Sequence, residues 1–359
     1  MSSLKYLSNS PSYNLVGEYS WDTKPSSASY FDLTSVSSIL SQATYPELFS
    51  KVGLIVNGLN TWTPVVSRFA FSATDIIYND VLYVATGASG GVYTSVDGIT
   101  WTTRTSGTTS TINALTYGNG LYVYAGDGGV LATSTDAITW TSRTSGTNSN
   151  IASLTYVNGI YVYGGVGGVL ATSTNAITWT ARSSNTVRQI NAITYGNGLY
   201  VYVGTFGVLA TSPDGIAWTG ITSGTAQQIS ALTYANGIYV YAGDGGVLAT
   251  STNAITWTAR TSGTNSTINT LIYANDRYVY GGAGGVLATS PDGITWTFRT
   301  SGTSTAITGL VQGNNRNVYI AGTAIGYESL YTYNSATEFL FQQTPVQIST
   351  ISKNYIKGD

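Results

Sequence analysis

The stretch INALTYGNGLYVYAGDGGVLATSTDAITWTSR, residues 112–143, decides the fold. Its Leu, Tyr, Val, Ile and Thr residues form four short runs of strand-forming side chains. Turn signals separate these runs, at Gly118-Asn119-Gly120, at Asp127-Gly128-Gly129 and at Thr135-Asp136-Ala137. The stretch therefore predicts four antiparallel strands joined by tight turns.

The same unit recurs with a fixed period. Tryptophans follow one another at intervals of 39 residues, at Trp62, Trp101, Trp140, Trp179, Trp218, Trp257 and Trp296. Four short strands in a unit of about 40 residues are typical of a β-propeller blade. We expect first strands to begin near Asp75, Ile112, Ile151, Ile190, Ile229, Ile268 and Ile307. These starts predict an all-β fold, a seven-bladed propeller of four-stranded antiparallel blades. Six or eight blades stay open, because an end unit can be miscounted.

The two ends of the chain leave ring closure open. Residues 54–66 contain a hairpin with the pattern of the third and fourth strands of a unit, while residues 307–342 look complete by themselves. The N-terminal hairpin therefore either completes the last blade or adds an extra edge to it. We expect an N-terminal segment with a short helix over residues 1–53, a propeller over 54–343 and a C-terminal tail over 344–359.

The composition excludes several function classes. The 359 residues include no Cys and no His, which excludes a disulfide framework, the usual zinc sites, a thiol nucleophile and a Ser-His-Asp triad. Charged residues make up 8% of the chain and the net charge is −2, which argues against nucleic-acid binding. No apolar run approaches the ~18 residues of a membrane-spanning helix, so we expect no membrane insertion. We expect neither a metal nor a cofactor.

A turn motif precedes six of the seven repeated Trp residues, Trp101 to Trp296. Three copies carry Asp-Gly in the turn, as in Ser95–Trp101, and three carry Asp-Ala or Asn-Ala. The motif resembles the Asp-box, the S-x-D-x-G-x-T-W turn of sialidases and many other propellers, but is one residue shorter. The resemblance implies a structural role for Asp97, Trp101, Asp136, Trp140, Asn175, Trp179, Asp214, Trp218, Asn253, Trp257, Asp292 and Trp296. Because Ala replaces Gly at 137, 176 and 254, we expect φ below zero there.

An arginine follows the Trp by three residues in five units, at Arg104, Arg143, Arg182, Arg260 and Arg299. Side chains alternate along a strand, so this Arg and the Trp point to opposite faces of the sheet. A charge on the outer strand of a blade discourages edge-to-edge pairing with another molecule. An anion-binding belt is the alternative hypothesis.

The turns between second and third strands and the loops between blades share one face, on which a ligand could sit. Their amide, hydroxyl and carboxylate groups suit sugar recognition, because hydroxyl groups both donate and accept hydrogen bonds. The candidate ligand-binding residues are Asp127, Asn148, Asn150, Gln189, Phe206, Gln227, Gln228, Asp244 and Asn265. A simple solvated loop surface is the alternative. Tyr122, Tyr124 and their equivalents are expected to pack within the blades.

A catalytic role is not expected. Sialidase chemistry relies on an arginine cluster, a Tyr nucleophile paired with an acid, and a second acid. The acids of the repeats are few, and most of them, such as Asp97 and Asp214, lie in turns. We therefore expect a protein that is not an enzyme.

The N-terminal segment suggests a setting. In Tyr45-Pro46-Glu47-Leu48-Phe49, Pro46 can open a short helix that Gly53 closes. This string resembles the tail-collar segment of bacteriophage tail-fibre proteins. The resemblance implies a virion tail protein in which Tyr45, Pro46, Leu48 and Phe49 belong to an attachment module and the propeller is displayed.

We therefore expect a non-enzymatic phage tail or fibre protein whose propeller binds a host-surface receptor, a glycan first and a protein second. Its other partners would be virion tail proteins, held through the N-terminal segment, with several copies per particle. Its location would be the virion, exposed outside the cell. A purely structural virion adaptor or decoration protein is one alternative. A cellular propeller that binds protein partners is another.

Overall fold

The computed structural model describes residues 62–313 and 316–329, and six short strands outside these ranges. The chain divides into two compact units, one formed by residues 60–328 and the other by 1–59 with 329–359. In the second unit the described strands form three antiparallel pairs, Ser3–Leu4 with Tyr19–Ser20, Ile39–Ser41 with Glu338–Leu340, and Ile55–Val56 with Thr332–Tyr333. The predicted helix, with Tyr45, Pro46, Leu48 and Phe49, lies outside the described residues.

Residues 60–328 form a propeller of seven four-stranded antiparallel sheets, which confirms the predicted fold. We number the sheets as blades 1 to 7 in chain order of their first strands. The strands are Ala73–Tyr78, Tyr83–Gly87, Gly91–Ser95 and Thr102–Thr105 in blade 1; Ile112–Gly118, Leu121–Gly126, Leu131–Ser134 and Thr141–Ser142 in blade 2; Ile151–Val157, Ile160–Gly165, Leu170–Ser173 and Thr180–Ala181 in blade 3; Ile190–Gly196, Leu199–Gly204, Leu209–Ser212 and Thr219–Gly220 in blade 4; Ile229–Ala235, Ile238–Gly243, Leu248–Ser251 and Thr258–Ala259 in blade 5; Ile268–Ala274, Arg277–Gly282, Leu287–Ser290 and Thr297–Phe298 in blade 6; and Gly309–Gln312, Arg316–Ala321, Ala324–Ser329 and Trp62–Arg68 in blade 7. None of the described residues forms a helix that is long and apolar enough to cross a membrane.

Blade 7 joins the two ends of the propeller. Its third strand, Ala324–Ser329, pairs antiparallel with Trp62–Arg68, so that Trp62 lies opposite Glu328. The unit at 307–342 is therefore not complete by itself, contrary to its appearance in the sequence. Ile55–Val56 pairs with Thr332–Tyr333 instead of serving as a third strand of this blade. The physical reason is that the blade has a single fourth strand, and the segment that carries the first Trp of the series, Trp62–Arg68, occupies this position.

The core consists of layers between neighbouring blades. Each layer combines buried side chains from adjacent sheets, as where Val123 and Ala125 of blade 2 meet Leu154 and Tyr161 of blade 3. In six of the seven blades a repeated pair packs the Trp against a second-strand Tyr of its own blade, whereas the ring centroid of Trp101 in blade 1 lies 5.2 Å from that of Phe69. The ring centroids lie 4.7 Å apart for Tyr124–Trp140, 4.9 Å for Tyr163–Trp179, 4.8 Å for Tyr202–Trp218, 4.8 Å for Tyr241–Trp257, 4.7 Å for Tyr280–Trp296 and 5.6 Å for Tyr319–Trp62. As expected, Tyr122 and Tyr124 are buried in the blades.

The first strands of neighbouring blades contact one another in a closed ring that surrounds the propeller axis. Side chains near their start connect successive blades by donating to a backbone carbonyl at the start of the first strand of the next blade or just before it. Asn113 donates to Ile151, Asn191 to Ile229 and Asn269 to Ile307, at 2.9–3.1 Å. Thr308 donates to the Ala73 carbonyl at 3.1 Å, from blade 7 back to blade 1. These bonds hold the inner edges of the sheets in register around the axis.

Six of the seven Trp residues follow a Ser-x-Asp or Ser-x-Asn turn, which we call the Ser-x-Asp turn and which is held by hydrogen bonds from its own backbone. In blade 2 the Asp136 carboxylate accepts hydrogen bonds from the N–H groups of Ile138 and Thr139, both at 2.8 Å. The following residue, Ala137, has a φ of 59°, and Ala176 and Ala254 have φ values of 59° and 60°. The expectation of a negative φ at these alanines is wrong. The reason is that the hydrogen bonds impose the left-handed conformation on the turn whichever residue occupies it.

Candidate binding faces

The antiparallel order of the strands divides the turns between two faces. One face carries the turns between first and second strands and the Ser-x-Asp turns; we call it the tyrosine face. The other carries the short 3₁₀ turns between second and third strands, such as Asp127–Gly129, and the loops between blades, such as 144–150. We call it the loop face. The expected ligand site lies on the loop face.

A ring of tyrosines ends the first strands on the tyrosine face. They are Tyr78, Tyr117, Tyr156, Tyr195, Tyr234 and Tyr273, all half-buried or exposed. Each contacts a Tyr of the second strand with ring centroids 4.3–4.9 Å apart. Several of these second-strand tyrosines are tied to the preceding blade; Tyr278, for example, donates to the Ala235 carbonyl at 2.6 Å. The more exposed ring is therefore supported by a buried one.

The same face exposes an apolar side chain in the Ser-x-Asp turns. Five isoleucines are between 42 and 56% exposed, namely Ile138, Ile177, Ile216, Ile255 and Ile294. The sequence interpretation missed both these isoleucines and the tyrosine ring as candidate binding residues. Their recurrence every 39 residues was the available signal. The face thus repeats a tyrosine and an exposed aliphatic side chain in most blades.

On the loop face, the predicted ligand residues come together only in local pairs. The Asn150 side-chain oxygen accepts from Gly128 N–H at 2.9 Å, beside Asp127. The Gln228 carbonyl accepts from Asp244 N–H at 2.9 Å. Gln189 reaches the turn that carries Phe206, because its carbonyl accepts from Thr205 N–H at 3.0 Å. Asn148, Gln227 and Asn265 are exposed in three separate loops.

Several of these side chains bind the protein itself. The Asp127 carboxylate accepts from the Asn113 amide at 2.9 Å, and the Gln189 amide donates to Asn191 at 2.9 Å. Both partners belong to the connections between first strands described above. Asp127 and Gln189 therefore support the inner ring in addition to facing the solvent.

The five repeated arginines make the same contact in every blade that has one. Their Nε atoms donate to a third-strand threonine at 2.9 Å, in the pairs Arg104–Thr94, Arg143–Thr133, Arg182–Thr172, Arg260–Thr250 and Arg299–Thr289. All five are half-buried. The guanidinium group is thus anchored at Nε on the outer part of the blade.

The electrostatics of the Ser-x-Asp turns fit a structural role. Hydrogen bonds from the Thr139 and Ile138 N–H groups and from the Ser134 hydroxyl lower the pKa of Asp136 to about 2.

A different carboxylate, Asp75, lines the inner ring, where it accepts from Leu115 N–H at 2.7 Å. Its enclosure by protein raises its pKa to about 6, against the effect of that bond and of Ile76 N–H. Within the described ranges, no group of three or more acidic residues could hold a metal ion.

Comparisons with known proteins bear on the fold alone. No family model matches the chain, and no curated protein matches it. Among solved structures, YCF48 bound to D1 peptide is similar with a TM-score of 0.63 and 14% identity, over 75% of this chain and 94% of that one. YCF48 from Cyanidioschyzon merolae has a TM-score of 0.61 and 18% identity over 75% and 98% of the two chains. The WD40 β-propeller domain of Doa1 has a TM-score of 0.61 and 10% identity over 77% and 98%. The chain is an all-β seven-bladed propeller, similar in fold to these proteins.

Proposed function

We propose that this protein is a non-enzymatic propeller that binds a protein partner through its tyrosine face. The observation that carries the proposal is the repeated display of tyrosines and exposed isoleucines on that one face. Tyr is enriched in protein interfaces because it combines a large apolar ring with a polar tip. Exposed aliphatic side chains repeated around one face add apolar area that a partner can bury.

One of the similar structures supports the proposed type of partner. One of the similar structures is of YCF48 bound to a peptide. All three neighbours share only the architecture, at low sequence identity, so the one bound to a peptide supports a binding role for this chain without indicating which residues serve it. In the Ser-x-Asp turns one carboxylate oxygen, Oδ1 of Asp136 for example, accepts hydrogen bonds from the turn backbone, which supports a structural rather than a catalytic role for these residues.

The proposed setting is a phage tail or fibre. It rests on the resemblance of Tyr45-Pro46-Glu47-Leu48-Phe49 to tail-collar segments, and the similar structures offer no support for it. In this setting residues 1–53 attach the protein to other tail proteins, and the propeller meets either a host receptor or a neighbouring virion protein. Immunogold labelling of the propeller on source particles distinguishes the two: label at distal tips supports a receptor role, and label at the neck or mid-tail supports an adaptor role.

The docking face itself is tested by site-specific photo-crosslinking. A photoreactive residue at Ile177 or Ile255 on the tyrosine face should give one discrete crosslinked protein in the native particle or cell. The matched control places the same residue at Val166 on the loop face, where 41% of the side chain is exposed. Equal crosslinking from both faces, or none from Ile177 and Ile255, would contradict the proposal.

A further inference from the structure

Blade 4 departs from the repeat at one exposed point of the loop face. The middle residue of the turn between second and third strands has positive φ in six blades, and it is Ser89, Gly128, Gly167, Phe206, Gly245 and Gly284. Phe206 has a φ of 57°. Four blades use glycine here, which adopts this conformation without a steric penalty. An aromatic residue in this position is the exception within a nearly uniform array.

Burial among the described residues offsets little of the conformational cost at Phe206. The left-handed region costs a residue with a Cβ about 1–2 kcal/mol. The Phe206 side chain remains 66% exposed, so packing within the propeller offsets little of that conformational free energy. Local backbone strain that is not offset by burial is a feature of ligand-binding positions. The location of this strain points to a contact outside the chain.

A neighbouring loop departs from the repeat at the same place. Val187 and Arg188, in the loop between blades 3 and 4, stand where the preceding repeat has Asn148 and Ser149. Val187 is 82% exposed, and the Arg188 guanidinium carbon lies 4.2 Å from the centroid of the Phe206 ring. This cation–π contact positions Arg188 beside the aromatic ring. Both departures therefore form one surface.

The surface borders a shallow groove of about 570 Å³ that contains two arginines. Arg182 and Arg188 line it, with Ser183, Thr186 and Gly168. Arg182 is anchored through Nε to Thr172 at 2.9 Å. The salt bridge recorded among the described residues joins Arg277 to Glu328, so neither groove arginine is paired with a described carboxylate. The equivalent groove one repeat earlier is lined by Arg143 and has no counterpart of Arg188.

We propose that the groove of Arg182 and Arg188, with Phe206 at its edge, binds a carboxylated sugar of an acidic glycan. Guanidinium groups match the planar carboxylate with two parallel hydrogen bonds. Hydroxyl and amide groups along the groove can donate to and accept from sugar hydroxyls. The exposed Phe206 ring offers an apolar face to the C–H side of a pyranose.

A peptide fits this groove less well. Apart from Val187, the groove lining is polar, and none of its residues belongs to a described strand, so the groove offers a peptide neither an enclosed apolar pocket nor a strand for main-chain pairing. The site lies on the loop face and is independent of protein docking on the tyrosine face. Failure of one proposal therefore leaves the other standing.

Calorimetric titration of the full chain tests the assignment. The probes are hexagalacturonate, a hyaluronan hexasaccharide and sialyllactose, with methyl-esterified hexagalacturonate and hexaglutamate as comparators. We expect saturable binding of at least one carboxylated sugar at one site per chain. Binding should weaken with added salt, because the contact is partly electrostatic. The neutral ester and the peptide should bind at least tenfold more weakly.

The variant V187N/R188S/F206G restores the residues of the neighbouring repeat and is therefore expected to fold. It should lose at least tenfold in affinity for the bound sugar while keeping the thermal midpoint of the native chain or raising it. The matched control R143S, in the equivalent groove of the preceding repeat, should bind as the native chain does. Absence of binding by all three acidic sugars, equal binding of the ester or of hexaglutamate, or an equal loss in R143S would each overturn the proposal.

Discussion

Removing the Trp62 side chain should destabilise the propeller more than removing any partly exposed Trp of the series. Trp62 is 4% exposed and contacts Tyr319 across blade 7. Burial of about 150–250 Å² at about 25 cal/mol per Å² contributes roughly 4–6 kcal/mol as an upper bound. No hydrogen bond is lost, since the buried Trp62 Nε1 has no hydrogen-bond partner among the described residues. We expect Trp62→Ala to lower the free energy of unfolding by about 4 kcal/mol.

The matched control is Trp257→Ala in blade 5. Trp257 is half-buried and its Nε1 donates to the Ala254 carbonyl at 3.1 Å, so the expected loss is smaller, about 2–3 kcal/mol. Urea unfolding followed by circular dichroism gives both values. Hydrogen exchange should in addition accelerate at 324–329 in Trp62→Ala and stay unchanged there in Trp257→Ala. A smaller loss for Trp62 than for Trp257, or unaltered exchange at 324–329, would refute the reasoning about closure.

Three further substitutions test other parts of the structure. The pKa of Asp75 is about 6 in the folded protein against an ordinary 3.8, so its contribution to stability is full at low pH and is lost as the pH rises through 6. The loss is at most about 3 kcal/mol. The difference in urea midpoint between the native chain and Asp75→Ala should therefore change between pH 4 and 7, and a constant difference would contradict this. Tyr163→Phe removes a 2.8 Å bond to the buried Ser145 carbonyl and should cost about 1–2 kcal/mol in the same assay, with no measurable loss counting against it. Ala254→Gly should change the free energy of unfolding by less than about 1 kcal/mol. Gly removes the strain of the left-handed conformation, but the variant loses a buried methyl group and its unfolded chain gains entropy. A loss of about 2 kcal/mol would show that the alanine is unstrained.

The sequence was sufficient for the blades because their determinants are local. Each 39-residue unit contains its own strands, turns and Trp, so the period alone predicts the sheets. Closure was not predictable in the same way. The hairpin at 54–66 and the unit at 307–342 are both candidates for the last strand of the final blade, and only pairing with Ala324–Ser329 selects the hairpin segment. That choice depends on contacts between distant parts of the chain.

For the candidate ligand site, the sequence predicted a face of the propeller but not which of its residues are free to bind a ligand. Composition indicated the polar loops, but many of their groups bind the protein itself, as Asp127 binds Asn113. The tyrosine ring was not predicted as a binding surface because the same repeat contains both exposed and buried tyrosines, such as Tyr117 and Tyr122. Similarly, Ala137 shows that residue preference does not decide a turn conformation when hydrogen bonds impose it.

The origin of the last strand of blade 7 has a consequence for synthesis on the ribosome. Trp62–Arg68 leaves the exit tunnel before any other strand of the propeller, yet its partner Ala324–Ser329 emerges last. During translation the early blades can form from neighbouring segments, while this first strand stays unpaired with both edges open. Nascent chains are therefore most prone to mispairing just before the final repeat is complete. Slow elongation through that repeat would prolong the vulnerable interval, and a chaperone that covers an extended apolar strand would shorten it.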